Sequence, residues 1–553
     1  MNTGLRITLD DGRARSCAPY APVGRLLDAP AARGGLPVIG ARVNHEIVGL
    51  DHPLAVNARV AFLTMADPQG MRMYRDSLAF LLRLTADRLF PGGRLTVEHS
   101  LGTGLFCLGA DARGRPLAAR QVAALESAMR RAAADRIPIR RLRLSFAEAL
   151  RRLQKAGRSD TLGLLRYRNP PSIAVHVCGR YLDLAHGPLA PDTGALPWFR
   201  LIHYPPGLVL QLPTREAPRG VAPFRDQPHL FAIFHEYRAW GRVSELDAVG
   251  QLNDRIVNGG IREFMRVEEA FHEKKIAGLA DRIRARRGVR LILISGPSSA
   301  GKTTLAKRLA VQLEVSGVKT ETLSLDNYYK DDADTPPGED GRPDYEHLEA
   351  LDLALFNRHL VSLIAGRPVQ LPRFDFELKR RSGGRPLRLA PGQVMIIEGI
   401  HALNPRLTAR VPARQKFGLY VSALTQLALD GGNRIATTDN RLLRRLVRDQ
   451  AFRNNSPLDT FRLWPSVRRG EKRWVFPFQT RADAAFNSAL DYELAVLKPL
   501  AEPLLMQIKP TVPEYAEARR LQGFLSNFLA IPRTDVPPTS ILREYIGASS
   551  FQY

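Results

Sequence analysis

Residues 296–303 read Gly296-Pro297-Ser298-Ser299-Ala300-Gly301-Lys302-Thr303, a complete GxxxxGK[ST] pattern. The apolar run VRLILIS precedes it, and TTLAKRLAVQLE follows with helical spacing. Strand, glycine-rich loop and helix in that order leave little choice of fold. The glycines let the backbone wrap a chain of phosphates with its N–H groups inward, and the helix N-terminus adds favourable electrostatics. Lys302 would reach the outer phosphates, and the Thr303 hydroxyl would hold Mg²⁺. From this loop to about residue 520, strands and helices alternate, which implies a parallel sheet flanked by helices. The loop alone does not separate a kinase from a GTPase or an ATPase.

Two acids end strands on the loop's side of such a sheet. Glu398 follows the buried run VMII, where open α/β sheets bind ligands, and could hold Mg²⁺ directly or through water. It could instead cap the next helix. Asp326 ends the alternating run ETLSL and precedes Asn327, Tyr328 and Tyr329. A kinase needs a group there to orient an acceptor hydroxyl, and an ordinary Asp suffices for a loose transition state. The alternative is an Asx turn that closes the strand. Residues 438–453 predict a helix with Asp439 or Asn440 as N-cap. Arg441, Arg444, Arg445 and Arg448 share one face, and Leu442, Leu443, Leu446 and Val447 the other. Such a stripe can close over a transferring phosphate. It can also be a solvated basic face or a patch for RNA.

The 553 residues suggest three or four domains, and 44% hydrophobic with 24% charged residues excludes a disordered or fibrous chain. A net charge of +25 suggests phosphate-bearing partners or RNA. Arginine dominates that charge, and codon usage alone can produce such a skew. Cys17, Cys107 and Cys178 are far apart and odd in number, which excludes a disulfide framework and fits a reducing compartment. No apolar stretch approaches a membrane span, and the N-terminus meets charges at once, so a cytoplasmic chain is expected.

Five segments are expected. Residues 1–67 are short strands around turns, and residues 68–225 an α+β unit that opens with a helix ending at Pro91-Gly92-Gly93. Residues 226–288 are a polar helical connector, residues 289–520 the α/β unit, and residues 521–553 a Pro-rich tail with one short helix.

Taken together, GPSSAGKTT, SLDNYY, PRFDF, IIEG and RLLRRLVRD resemble, in order over about 230 residues, the uridine kinase and phosphoribulokinase group of P-loop kinases. The resemblance implies ATP with Mg²⁺. It puts Gly296, Ser298, Ser299, Ala300, Gly301, Lys302, Thr303 and Thr304 on the nucleotide, and Thr303, Glu398 and Asp326 near the metal. Asp326 would orient the acceptor, with Lys302 and the lid residues Arg448 and Arg453 completing the catalytic set. Contacts to a nucleoside would fall on Tyr329, Tyr345, Glu346, Phe374, Phe376 and Arg445. The sequence departs from the family at Glu346, where an aspartate is usual. It departs also at Lys379, where a histidine is usual, and at Arg453-Asn454-Asn455, where the family has Arg-Gly-Arg. A different hydroxyl acceptor therefore stays open beside uridine or cytidine.

Residues 1–67, through VNHEIVGLDHPL, resemble the β-grasp TGS domain. Residues 68–225 resemble the second additional domain of threonyl- and alanyl-tRNA synthetases. Editing members of that family carry His-x-x-x-His on a helix; Asp76 and Phe80 stand there here, while Cys178 and His186 survive. The resemblance implies an editing fold without editing chemistry. The whole order, closing on SILREYIG, is similar to a family of bacterial nucleoside kinases, and a homo-oligomer is expected. A further alternative is an RNA-associated protein whose P-loop acts as an ATP switch and whose N-terminal half contacts RNA.

Overall fold

The computed structural model describes residues 4–28, 32–228, 231–236, 238, 245–339, 341–375 and 378–552. Alternating side chains and tight polar turns organise the first 63 residues. Leu5–Leu9 pairs antiparallel with Ala14–Cys17 around Gly12, whose φ of 86° suits a residue without Cβ. Leu5–Leu9 also pairs in parallel with Ala58–Leu63, and the five-stranded sheet continues through Gly40–Val43 to Glu46–Val48. Ile7, Leu9, Val60 and Phe62 fill its buried side.

The helix Pro68–Leu89 starts on a proline, tolerated where the N–H has no partner, and stops before Pro91. It buries Leu78, Leu81, Leu82 and Leu84 against a four-stranded antiparallel sheet that includes Arg94–Leu101 and Gly104–Ala110. A second, three-stranded sheet joins Ile139–Ser145, Ser172–Cys178 and Tyr181–Leu184.

The C-terminal sheet has five parallel strands in the order Thr320–Ser324, Val394–Glu398, Leu291–Ser295, Lys416–Ser422 and Ala484–Asn487. Leu291–Ser295 lies in the middle and is buried throughout, as its unbroken apolar run requires. In register, Glu398 sits beside Ile294 on one side and Ser324 on the other. Both strand-end acids therefore emerge at the same sheet edge as the glycine-rich loop.

The region expected to be a connector contributes to this unit. Its helix Ile261–Ala285 packs Ile276, Leu279 and Ile283 onto the loop helix Lys302–Val315. Arg308 pairs with Glu269 at 3.4 Å and Glu273 at 2.6 Å across that contact. The Pro-rich tail carries the short helix Arg543–Ile546, and its Ile541, Leu542, Tyr545 and Ile546 are buried in the core. Polar ties join the two halves. Arg72 of the N-terminal half pairs with Glu517 of the C-terminal half at 2.7 Å. The Gly431 N–H donates to Asp160 at 2.7 Å. Among the described residues no helix is long and apolar enough to cross a membrane.

Candidate active site

The loop is shaped by a few backbone demands. Gly301 caps the helix Lys302–Val315 with φ 82°, and a Cβ there would lie 2.6 Å from Ile541. A Cβ on Gly296 would lie 2.2 Å from the Val421 carbonyl oxygen. Lys302 donates to the Pro297 carbonyl at 3.1 Å. Burial pulls its ammonium below the usual range, and Glu398, Asp326 and Glu544 oppose that pull. The three carboxylates thus converge on Lys302. Burial, reinforced by Asp326, pushes the Glu398 carboxyl up to about 7, with Lys302 acting the other way. Asp326 lies in the 3-10 turn Leu325–Tyr328 directly after the strand, half-buried.

The arginine helix runs Thr437–Phe452, with Ala436 as cap, three residues ahead of Asp439 and four ahead of Asn440. Asp439 does not cap it because that carboxylate is engaged by Arg520. Asn440 is engaged by Glu493. The alternative of a solvated basic face does not hold, because the arginine side is buried as well. Arg441 and Arg444 are 1% and 0% exposed, and Arg445 and Arg448 are buried beside them. The reason is a set of buried counter-carboxylates. Arg441 pairs with Glu471, Arg444 with Glu493, and Arg445 and Arg448 with Asp449. Further guanidinium donors go to the glycine-rich loop, and Arg444 also donates to Ser488. Arg441 Nε donates to the Ser298 carbonyl at 2.8 Å, and Arg445 donates to Ser298 Oγ at 2.9 Å. The helix therefore braces the loop, and an RNA-binding stripe on this face is excluded by its burial. Removing one partner of a buried pair leaves an uncompensated charge. Glu493→Ala is expected to destabilise the protein by about 3–5 kcal/mol, read as a fall in the denaturant midpoint at constant slope.

On the acceptor side, Tyr329, Tyr345 and Phe374 meet edge-on, with ring centroids 5.3, 5.6 and 6.0 Å apart. Burial comes first in pushing the Glu346 carboxyl up to about 7; Arg445 opposes it. Glu346 Oε2 is buried with no hydrogen-bond partner among the described residues. Gly470 closes over Glu346, since a Cβ there would lie 2.3 Å from the Glu346 Cβ. Arg453 ends the arginine helix, and burial, with Arg448 beside it, pulls it down to about 10. Asp326 is among the charges that act on it. Phe376 lies outside the described residues. Lys379 is exposed with φ 51°.

The sequence reading missed three carboxylates. Glu471 accepts from the Ser298 N–H at 3.2 Å, and Glu544 accepts from the Thr304 N–H at 3.2 Å and the Thr304 hydroxyl at 2.8 Å. Glu493 holds Arg444. A surplus of arginine in one helix was the available signal, but it does not say where the acids come from.

These contacts also test the loop's fit to a phosphate chain. Carboxylate oxygens stand where phosphate oxygens would, on inward-pointing N–H groups, so the donor set fits an anion. No cluster of three or more His, Cys, Asp or Glu suited to a metal occurs among the described residues. Mg²⁺ asks for less: one or two carboxylates, with substrate phosphates and water supplying the other oxygens. Thr303, Glu398 and Asp326 match that demand.

In the N-terminal half, Phe80 is buried edge-on to Tyr181, at 5.1 Å between centroids. Asp76 pairs with Arg75 at 3.0 Å. Cys178 is fully buried, and burial pushes its thiol up. His186 lies 3.6 Å from Asp430 of the C-terminal half.

Residues 291–495 match the model of the phosphoribulokinase / uridine kinase family. The uridine kinase of Deinococcus deserti is 31% identical over 167 residues, 30% of this chain and 72% of that protein. The uridine kinase of Brevibacillus brevis is 31% identical over 166 residues, 30% of this chain and 69% of that protein. The threonine–tRNA ligase of Desulforamulus reducens is 30% identical over 201 residues, 36% of this chain. The chain spans only 31% of that ligase's length.

Proposed function

The chain belongs to the phosphoribulokinase / uridine kinase family, and from that premise we propose that it transfers the terminal phosphoryl group of Mg-ATP to a hydroxyl of a nucleoside-like acceptor. One observation carries this reading. Asp326 and Glu398 leave adjacent strand ends within electrostatic reach of Lys302, beside the Tyr329, Tyr345 and Phe374 rings. A nucleotide switch needs no such ring-lined side.

In this reading the loop N–H groups and Lys302 hold the phosphates, and Mg²⁺, when bound, neutralises charge on the oxygens near Thr303 and Glu398. Asp326 accepts a hydrogen bond from the acceptor hydroxyl and takes its proton as the O–P bond forms. Arg453 and Arg448 neutralise charge that grows on the transferring oxygens. Tyr329, Tyr345 and Phe374 exclude water and stack on a flat ring. Glu346, with an oxygen to spare, accepts from a second hydroxyl of the acceptor, and Arg445 lies within its electrostatic reach. The test is incubation of the pure protein with ATP and a panel of nucleosides and small polyols. Turnover of a polyol alone would keep the kinase and discard the nucleoside.

Glu346 gives the acceptor step a pH dependence. Its carboxylate forms as pH rises through about 7, and only the ionised form accepts without donating. The acceptor's kcat/KM is expected to rise through that range, and Glu346→Gln to lower it about tenfold or more and make the rise shallower, leaving the part that Glu398 contributes. A wild-type profile in the Gln variant would remove Glu346 from the acceptor site.

For the N-terminal half, similarity to threonine–tRNA ligases supports contact with RNA. Deacylation of mischarged tRNA is not expected, because Phe80 can neither bind a metal nor activate water. Hydrolysis by the full chain above a no-enzyme control would overturn that reading.

A further inference from the structure

The segment SILREYIG has no place in the reaction described above, yet it reaches the glycine-rich loop. Residues 540–547 are anchored by Leu542, Tyr545 and Ile546 in the core, with Ile541 against the loop glycine. Arg543 ties the turn to itself, donating to the carbonyls of Pro537 at 3.3 Å and Gly547 at 3.2 Å. That anchoring aims Glu544 at the N-terminal turn of the helix Lys302–Val315. One carboxylate oxygen accepts from both the N–H and the hydroxyl of Thr304. Thr304 is fully buried with Glu544 in this position.

Those two donors belong to the set that a nucleotide's phosphates would use in the reading above, on which this inference rests. A phosphate oxygen and the Glu544 oxygen cannot share one N–H at hydrogen-bond distance. Charge sharpens the conflict, since Glu544, Glu398 and Asp326 already act together on Lys302. Being tethered, Glu544 competes at a high effective concentration. We propose that Glu544 is an intramolecular competitor for the phosphate site: it occupies the Thr304 donors in the nucleotide-free protein and is displaced when a nucleotide binds. The core anchors confine the displacement to the Glu544 side chain, and its release loosens the short helix Arg543–Ile546 that carries it. The Tyr545 hydroxyl, buried without a hydrogen-bond partner among the described residues, marks a turn whose polar groups are not all satisfied in this position.

The test uses the full chain, ADP as the probe, calorimetry, and hydrogen exchange of the 540–547 amides. Glu544→Ala is expected to bind ADP about tenfold more tightly than wild type. Glu544→Gln keeps an acceptor without the charge and should fall between the two. In the wild type, saturating ADP should speed exchange of the 544–547 amides about threefold or more, a readout that general relief of repulsion would not move. Equal or weaker ADP binding by both variants would overturn the competition. So would 544–547 amides whose exchange ADP leaves unchanged or slows. Failure of wild type and variants alike to bind ADP would overturn the phosphate-loop reading itself, and the competitor with it. Equal, measurable binding overturns the competitor alone.

Discussion

Lys302→Ala is expected to lower turnover by about three orders of magnitude or more while leaving the fold in place. Two features of the site lead to that split. The ammonium is buried, so its charge is little screened, and it stands among Glu398, Asp326 and Glu544. In the proposed reaction negative charge spreads over the phosphoryl oxygens as the bond to the leaving group loosens. A fixed buried cation stabilises that spread more than it stabilises the ground state. The structural cost is small by comparison. Among the described residues Lys302 makes one hydrogen bond, to the Pro297 carbonyl, and burial of its charge is unfavourable in itself. The melting temperature of the variant should stay within about 5 °C of wild type. Turnover near that of wild type, in a variant that melts normally, would remove the loop from the reaction.

The same comparison of local and distant partners explains what could be read from the sequence. The loop was legible because strand, glycines, Lys302 and helix are contiguous, and contiguity is what a pattern detects. Asp326 and Glu398 were legible as strand-end acids, since an alternating run before the first and a buried apolar run before the second fix where each strand stops. The arginine helix was legible as a helix, but its environment was not. Glu471 and Glu493 neutralise Arg441 and Arg444 from 30 and 49 residues away in the chain. No periodicity within residues 437–452 registers them, so a buried ionic brace left a solvated basic face open as an alternative. The C-terminal segment misled for the opposite reason. Its prolines, Pro532, Pro537 and Pro538, mark a Pro-rich tail, whereas Val536 beside them and Ile541, Leu542 and Tyr545 after them are buried in the core. The helix Ile261–Ala285 looked polar because its acids face Arg308 and Tyr492, partners that also lie far along the chain.

Asp326→Asn separates the chemistry from nucleotide binding. Asn preserves the size of the side chain and one acceptor oxygen, so the 3-10 turn Leu325–Tyr328 should keep its shape. It cannot take a proton, and it orients a hydroxyl less firmly than a carboxylate does. Turnover is expected to fall by about two to four orders of magnitude, while the dissociation constant for ADP with Mg²⁺ shifts by less than about threefold. The neighbouring carboxylate sharpens the expectation. Glu398 is pushed up by burial first and by Asp326 second. Removing the Asp326 charge makes Glu398 easier to ionise and so a better magnesium ligand at neutral pH. If Asp326 served chiefly the metal, its loss would weaken Mg²⁺-dependent ADP binding despite that gain. If it serves the acceptor hydroxyl, ADP binding holds or tightens as turnover collapses. A parallel fall in both quantities would assign Asp326 to the metal and leave the acceptor's proton to another group at the same sheet edge.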